Sequence, residues 1–328
     1  MLRLFANANY DFIGVRRWAY IITAIVMIPG LVMTAFRGLD YSIEFTGGSL
    51  VQIHVNRAIN VGQLRGALDR GGVPGAEITA FGTPVDFVIR ARLRDQQAVS
   101  QEEAQVTARQ IDTALTRAFG AGAYTRGRVE AVGPKVGAEL RSRALLAILA
   151  SFLVVLVYLA FRFEWRFGLA AVIATAHDIL TTLAFIKYLN LEVSLVVVAA
   201  ILTVVGYSLN DTIIIFDRVR ENLHKYKRED LGGILNRSIN QTLPRSVLTH
   251  GTTMATTLAM LVFAGEVIRP WAWVMTFGVF TGTFSSIYIA GPILLFIERR
   301  WPGKEARGVK ARVAPASHHA PVAPPAQG

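Results

Sequence analysis

A chain of 328 residues that is 52% hydrophobic and only 17% charged gathers its apolar residues into runs approaching 20, the length that crosses a ~30 Å hydrocarbon core, so the solvent it is built for is a membrane. It contains no cysteine, which excludes a disulfide framework and a thiolate metal site. Its net charge of +11 would suggest nucleic acid in a soluble protein; here the question becomes which loops hold the positive residues.

Residues 1–17 place Arg3, Arg16 and Arg17 before an apolar run over 18–36 that continues to Arg37 with no Ala-x-Ala ending. A cleaved signal peptide is shorter and ends in small residues, so the run reads as a retained first span over 18–37. Pro29-Gly30 inside it is a candidate kink.

Residues 38–143 are polar on average and read as a separate domain. Ser49–Val55 alternates as a strand does, and Asn60 caps a helix over 61–70 that stops at Gly71-Gly72. Two strands are predicted near 76–81 and 85–92. Ser100-Gln101-Glu102-Glu103 fits a capping box opening a helix to Phe119, and a last strand is predicted over 124–132. The order β-α-β-β-α-β is that of a ferredoxin-like α+β domain, which by itself names no function.

Five more apolar runs follow, at 144–161, 167–186, 193–216, 246–264 and 272–296, making six transmembrane helices. Segments 1–17, 162–166, 217–245 and 297–328 hold 18 of the 34 Lys and Arg residues, while 187–192 and 265–271 hold one each. Short basic loops stay in the cytoplasm, so both termini are expected inside and the domain at 38–143 outside. The loop 217–245 reads as a solvated, lipid-proximal connection, with a partner-binding site as the alternative, and Asp230–Ser238 is a candidate short surface helix. The tail 297–328, rich in Pro and Ala after Trp301, reads as cytoplasmic and mostly disordered; His318-His319 is tail composition.

Polar residues inside the spans carry the functional signal. Asp211 is a carboxylate in the fourth run, where an unpaired charge costs ~2.5–3.5 kcal/mol at the helix centre. It must be paired, hydrated or protonated, and each alternative couples it to pH or to a cation. Thr203, Tyr207, Asn210 and Asp211 share one helical side; His177, Asp178, Thr181 and Thr182 share another in the third run; Arg245, Thr249, Thr252 and Thr256 form a stripe in the fifth. Three stripes on consecutive spans predict one shared interior, with Arg245 as candidate counter-charge. Hydroxyls alone need no more than helix–helix bonding, and His177-Asp178 stands open between architecture and function. Gly278, Gly282, Ser286 and Ala290 recur every four residues as a packing face against another span, of this chain or of a partner, read as scaffold. No phosphate-binding Gly-x-x-x-x-Gly-Lys-Ser/Thr loop is present.

Gly38 to Gly48, Ala176-His177-Asp178, Gly206 to Thr212, Phe216 to Asn222, Thr242 to Arg245 and Gly282 to Ile287, in this order, closely resemble the SecF family of the bacterial Sec protein translocase, itself similar to the resistance-nodulation-division transporters. The resemblance covers residues 16–298. It implies a non-enzymatic subunit of the bacterial inner membrane, without cofactor. It would work with SecD beside the SecYEG channel, after SecA has pushed an unfolded preprotein in, and use protons, or sodium in some members, to help pull the polypeptide out. It further implies that Asp211 is the intramembrane carboxylate in proton passage and that Arg245 acts with it. Asn210, His177 and Asp178 are further candidates for proton or ion coupling, with Tyr207, Thr249 and Thr252 as the supporting polar stripe and Gly47 and Gly48 at the motif turn. Glu44, Tyr41 and His250 depart from the usual family residues; His250 either adds a titratable group or fills space. The rival readings are a small-molecule or lipid exporter of the resistance-nodulation-division type and an intramembrane aspartyl protease using Asp178 and Asp211 as a shared-proton pair.

Overall fold

The computed structural model describes residues 5, 8–56, 59–81, 83–91, 101–265 and 267–302. Ser100 of the expected capping box, Arg3, and the tail beyond 302 with His318-His319 lie outside the described residues.

The first span is α1 (Arg16–Arg37), which runs through Pro29. After it comes a single turn that periodicity did not announce, α2 (Ile43–Thr46), leading into β1 (Gly48–Val55). Gly47 and Gly48 join the two with φ of 75° and 143°, a region in which only glycine is at ease. A Cβ on Gly48 would also meet the Ala91 carbonyl at 2.6 Å, so the doublet is dictated by both conformation and space.

The domain continues with α3 (Val61–Arg70), β2 (Glu77–Phe81), β3 (Thr83–Ala91), α4 (Gln101–Phe119) and β4 (Tyr124–Val132). Asn60 and Gln63 close a reciprocal capping box on α3, as Asn60 foreshadowed. The sheet order is β2-β3-β1-β4, all antiparallel, with Val51 opposite Ile89 and Val129. This is the ferredoxin-like arrangement. Alternation of β1 sends Val51, Ile53 and Val55 to one face, where they meet Leu64, Leu68, Ile111 and Leu115 of the two helices in one core.

Among the described residues, six helical stretches are long and apolar enough to cross a membrane. The second, α5 (Pro134–Arg162), begins ten residues before the apolar run does, because its first turns are polar helix outside the hydrophobic stretch. α6 (Trp165–Tyr188), α7 (Leu195–Lys225) and α8 (Leu231–Phe263) follow. The last stretch is three pieces: α9 (Arg269–Ser285), a π-helical turn at Ser286–Ala290 and α10 (Gly291–Arg300).

One expectation fails here. Asp230–Ser238 is no separate surface helix; Asp230 caps α8 by accepting from the Gly232 amide, and α8 runs from there through Pro244 into the fifth span. Ile234, Leu235 and Ser238 are fully buried, so this part of 217–245 is not a solvated connection. Phe12 and Ile13 of the N-terminal segment share a core with Ile234 and Leu235, together with Val219 and Leu223 of α7, and Asn222 of α7 donates to Ser238. Asn236 and Asn240, one turn apart, hold that segment: Asn240 exchanges two 2.9 Å hydrogen bonds with the Tyr10 backbone, and Asn236 accepts from the Ile13 amide and donates to Asp11.

α7 and α9 form the centre of the bundle. Gly278 and Gly282 put α9 directly on α7, where an added Cβ would lie 2.2 Å from Val204 and 2.9 Å from Ser208. The small-residue face therefore packs within this chain. At the periphery α5 exposes Leu145, Leu146, Leu149 and Leu153, as a lipid-facing helix does.

Candidate functional site

α6 and α7 each bury one carboxylate. Asp178 of α6 is 0% exposed and Asp211 of α7 is 3% exposed. Neither hydrogen-bonds the other. Asp178 Oδ2 accepts from Ser208 of α7 and, at 2.7 Å, from Ser285 of α9, while its Oδ1 lies 3.0 Å from His177 Nδ1. The outer nitrogen of His177 reaches toward Thr23 of α1 at 3.4 Å. Asp211 Oδ1 accepts from Ser246 of α8 at 2.6 Å, and its Oδ2 from Ser286 of the π-turn at 2.8 Å.

The four serines are what sequence reasoning missed. On the sequence Ser286 reads as part of a scaffold face, and Ser208, Ser246 and Ser285 carry no separate expectation. A signal was available: Ser285-Ser286 is a doublet of hydroxyls within an apolar run, and Ser208 precedes Asp211 by three residues on the same side of α7.

The single shared interior is also corrected. Asp178, Thr181 and Thr182 are buried as expected. By contrast Thr203 and Asn210 of α7, and Arg245, Thr249, Thr252 and Thr256 of α8, are exposed on the outside of this chain. Helical spacing fixed which residues share a side but not which side meets the chain's own core. Arg245 forms no ion pair with Asp211; among the described residues no Lys, Arg or His does. Ser246, the residue after Arg245, makes that contact instead.

Tyr207 ties the exposed stripe to the interior, donating to Thr253 at 2.9 Å, with its ring edge-on to His250, centroids 5.3 Å apart. His250 is buried and its Nδ1 donates to the Ser246 carbonyl at 2.7 Å. It therefore buttresses the turn of α8 that presents Ser246.

The motif turn connects this site to the sheet domain. The Val193 amide donates to the Asp40 carbonyl at 2.7 Å, the Ser42 amide to the Val193 carbonyl at 3.0 Å, and Lys187 Nζ to Asp40 at 3.1 Å. Glu44 Oε2 accepts the Leu195 amide at the start of α7. From the sheet, Arg90 pairs with Glu192 at 2.8 Å. Residues 40–44 are thus bonded to the loop that leads into the helix carrying Asp211.

Comparison with known proteins places the chain. A profile described as "Protein export membrane protein SecD/SecF, C-terminal" matches residues 110–300, and one described as "SecD/SecF GG Motif" matches residues 32–59, around Gly47 and Gly48.

The chain belongs to the SecD/SecF family.

It is 57% identical over 317 residues to the protein translocase subunit SecF of Gemmatimonas aurantiaca, covering 95% of each chain, and 40% identical over 286 residues to that of Vibrio alginolyticus, covering 86% of this chain and 89% of the relative. Among solved structures it resembles the crystal structure of a Thermus SecDF, a translocon-associated membrane protein, with TM-score 0.78 and 33% identity over 90% of this chain. It spans only 40% of that longer chain. The SecD/SecF family supplies accessory subunits of Sec protein export and is not enzymatic, so the protease and small-molecule-exporter readings fall away. The separate serine cradles of Asp178 and Asp211 agree: a shared-proton pair requires the two carboxyls in contact.

Proposed function

We propose that this chain, paired with a SecD-type partner, converts the proton-motive force into late movement and release of an unfolded preprotein, with Asp211 as the group that takes up and gives off the proton. The observation that carries the reading is that Asp211 is buried in an apolar span and faced only by hydroxyls among the described residues. Such a carboxylate is neutral when protonated and otherwise needs a counter-charge from outside the chain, which makes its charge depend on conformation and pH. The bonded path from α7 through 192–195 to Asp40 and Glu44 supports transmission to the sheet domain.

The exposed polar stripe supports the partner assignment. Arg245, Thr249, Thr252 and Thr256 are as ill-suited to acyl chains as Leu149 and Leu153 are well suited. Another transmembrane segment bearing an acceptor or a carboxylate fits that face, and the SecD-type partner is its natural occupant. Arg245 and Asn210 then act at the joint between chains rather than inside this one. The basic residues of 162–166, 217–245 and 297–302 support an inner-membrane orientation with both termini cytoplasmic and the sheet domain periplasmic, beside a SecYEG channel fed by SecA.

The test is export by vesicles reconstituted with the complete translocase under an imposed pH step and, separately, a sodium step. Asp211→Asn is expected to leave assembly and ATP-driven initiation intact and to abolish the response to the pH step. A wild-type response in Asp211→Asn overturns the reading, and a response to the sodium step alone reassigns the ion.

A further inference from the structure

Each of Ser285 and Ser286 lies within hydrogen-bond reach of two acceptors and has one hydrogen to give. Ser285 Oγ is 2.7 Å from Asp178 Oδ2 and 3.2 Å from the Gly282 carbonyl; Ser286 Oγ is 2.8 Å from Asp211 Oδ2 and 3.1 Å from the Thr283 carbonyl. Both side chains are fully buried, so water does not compete for either hydroxyl. The doublet stands where α9 gives way to the π-turn, an irregularity that recurs at functional sites. Neighbouring helical residues point about 100° apart, which is how one doublet serves carboxylates on two different helices.

We propose that Ser285 and Ser286 are positioning residues forming a hydroxyl switch that accommodates both charge states of Asp178 and Asp211 and keeps the exchangeable proton on Oδ2 of each. This rests on the reading of Asp211 as the proton-coupling group and adds where the proton sits and what holds it there. When Asp211 is ionised, Ser286 O–H donates to Oδ2. When a proton arriving from water bonds to Oδ2, the new carboxyl O–H donates to Ser286 Oγ, and the serine hydrogen turns to the Thr283 carbonyl. Loss of the proton reverses both rotations, and neither rotation displaces a heavy atom. Ser285 does the same for Asp178 with the Gly282 carbonyl. Ser246 has only the Oδ1 contact, so it holds Asp211 in place while Oδ2 exchanges.

The other titratable groups near the pair are accounted for. His177 faces Asp178 Oδ1 from α6, Tyr207 lies on the same helix as Asp211, and on α8 His250 is committed to the Ser246 carbonyl while Arg245 is exposed. α9 and the π-turn bring hydroxyls to the two carboxylates and no charged side chain.

Two readouts on the full chain in lipid, with its partner, test the switch. Infrared difference titration follows the C=O band of protonated Asp211, identified by its loss in Asp211→Asn, and gradient-driven export is measured against pH. A hydroxyl stabilises a carboxylate more than a carboxylic acid. Ser286→Ala is therefore expected to raise the midpoint of the Asp211 titration by about one pH unit and to shift its band to higher frequency as the acid loses its acceptor. Ser286→Thr is expected to restore both. Ser285→Ala is expected to leave the Asp211 midpoint in place. An unshifted midpoint and band in Ser286→Ala, or a Ser286→Thr that behaves like Ser286→Ala, overturns the proposal. If Ser286→Ala fails to assemble, Ser286→Cys, with its weak donor, carries the same expectation. Should Asp211→Asn export normally while the band still titrates and responds to Ser286→Ala, the proton-driven reading fails and the switch stands.

Discussion

Glu44 Oε2 accepts the backbone amide of Leu195 at 2.6 Å, so a side chain from the motif preceding the sheet domain caps the helix that carries Asp211. The first amides of a helix lack partners within it, and a carboxylate there also meets the positive end of the helix dipole. Glu44→Ala is expected to destabilise the domain–bundle joint by about 1 kcal/mol, a typical cap loss. Glu44→Gln is expected to recover most of that, since an amide oxygen still accepts. Thermal unfolding in detergent checks the ranking.

Gly47→Ala and Gly48→Ala are both expected to be damaging. Both replace glycine at positive φ, a strain of about 1–2 kcal/mol. Gly48 also places the new Cβ against the Ala91 carbonyl, so β1 must part from β3 to admit it. Chemical unfolding midpoints of the two variants, beside wild type, check this.

Gly282→Ala is expected to impair function through Asp178. The added methyl meets Ser208 at 2.9 Å, and Ser208 is one of the two hydroxyls holding the Asp178 carboxylate. Overpacking at about 1–3 kcal/mol is absorbed by spreading α7 from α9, which separates the serines that flank that carboxylate. The double variant Gly282→Ala with Ser208→Gly, in which the obstructing side chain is removed, is expected to regain packing but not export.

A photoreactive residue at Thr252 or Thr256 is expected to crosslink to the SecD-type partner, and one at Leu149 or Leu153 to lipid. Equal crosslinking to protein from all four positions would contradict the assignment of the polar stripe as the partner face.

The Gly14 amide and the Asn236 side chain hold the Asp11 carboxyl below its ordinary value. Because the folded value is depressed, this anchor is fully in force at neutral pH. It is lost only as pH falls below the unfolded carboxylate value of about 3.9 and on through the depressed one. Pepsin cleavage beside Phe12, compared between wild type and Asp11→Asn in detergent, is expected to rise steeply with acidification only in the wild type.

The strands, the Asn60 cap and all six spans were legible because each depends on local pattern: alternation, a capping residue, an apolar run. Asp211 was legible because a lone carboxylate among Val, Leu and Ile has no bland explanation. The position of Arg245 was not, since a 3.6-residue period says which residues share a side and is silent on whether that side meets α7 or another chain. The start of α5 and the first turns of α8 were hidden because polar helix extending beyond an apolar run leaves no mark in hydropathy. Ser285 and Ser286 escaped because a serine in a span reads equally as packing, and the π-turn that aims them arises from backbone register.

The unbroken length of α8 has a mechanical consequence. Thirty-three residues at 1.5 Å each make a rod of about 50 Å, some 20 Å more than the hydrocarbon needs, so its leading end projects as a stub gripped by the N-terminal residues through Asn236 and Asn240. Pro244 interrupts the ladder of backbone bonds between stub and span, two residues before Ser246. A rigid tilt of about 10° about Ser246, beside Asp211, would swing the far end of the stub by roughly 3–4 Å, given that rise per residue.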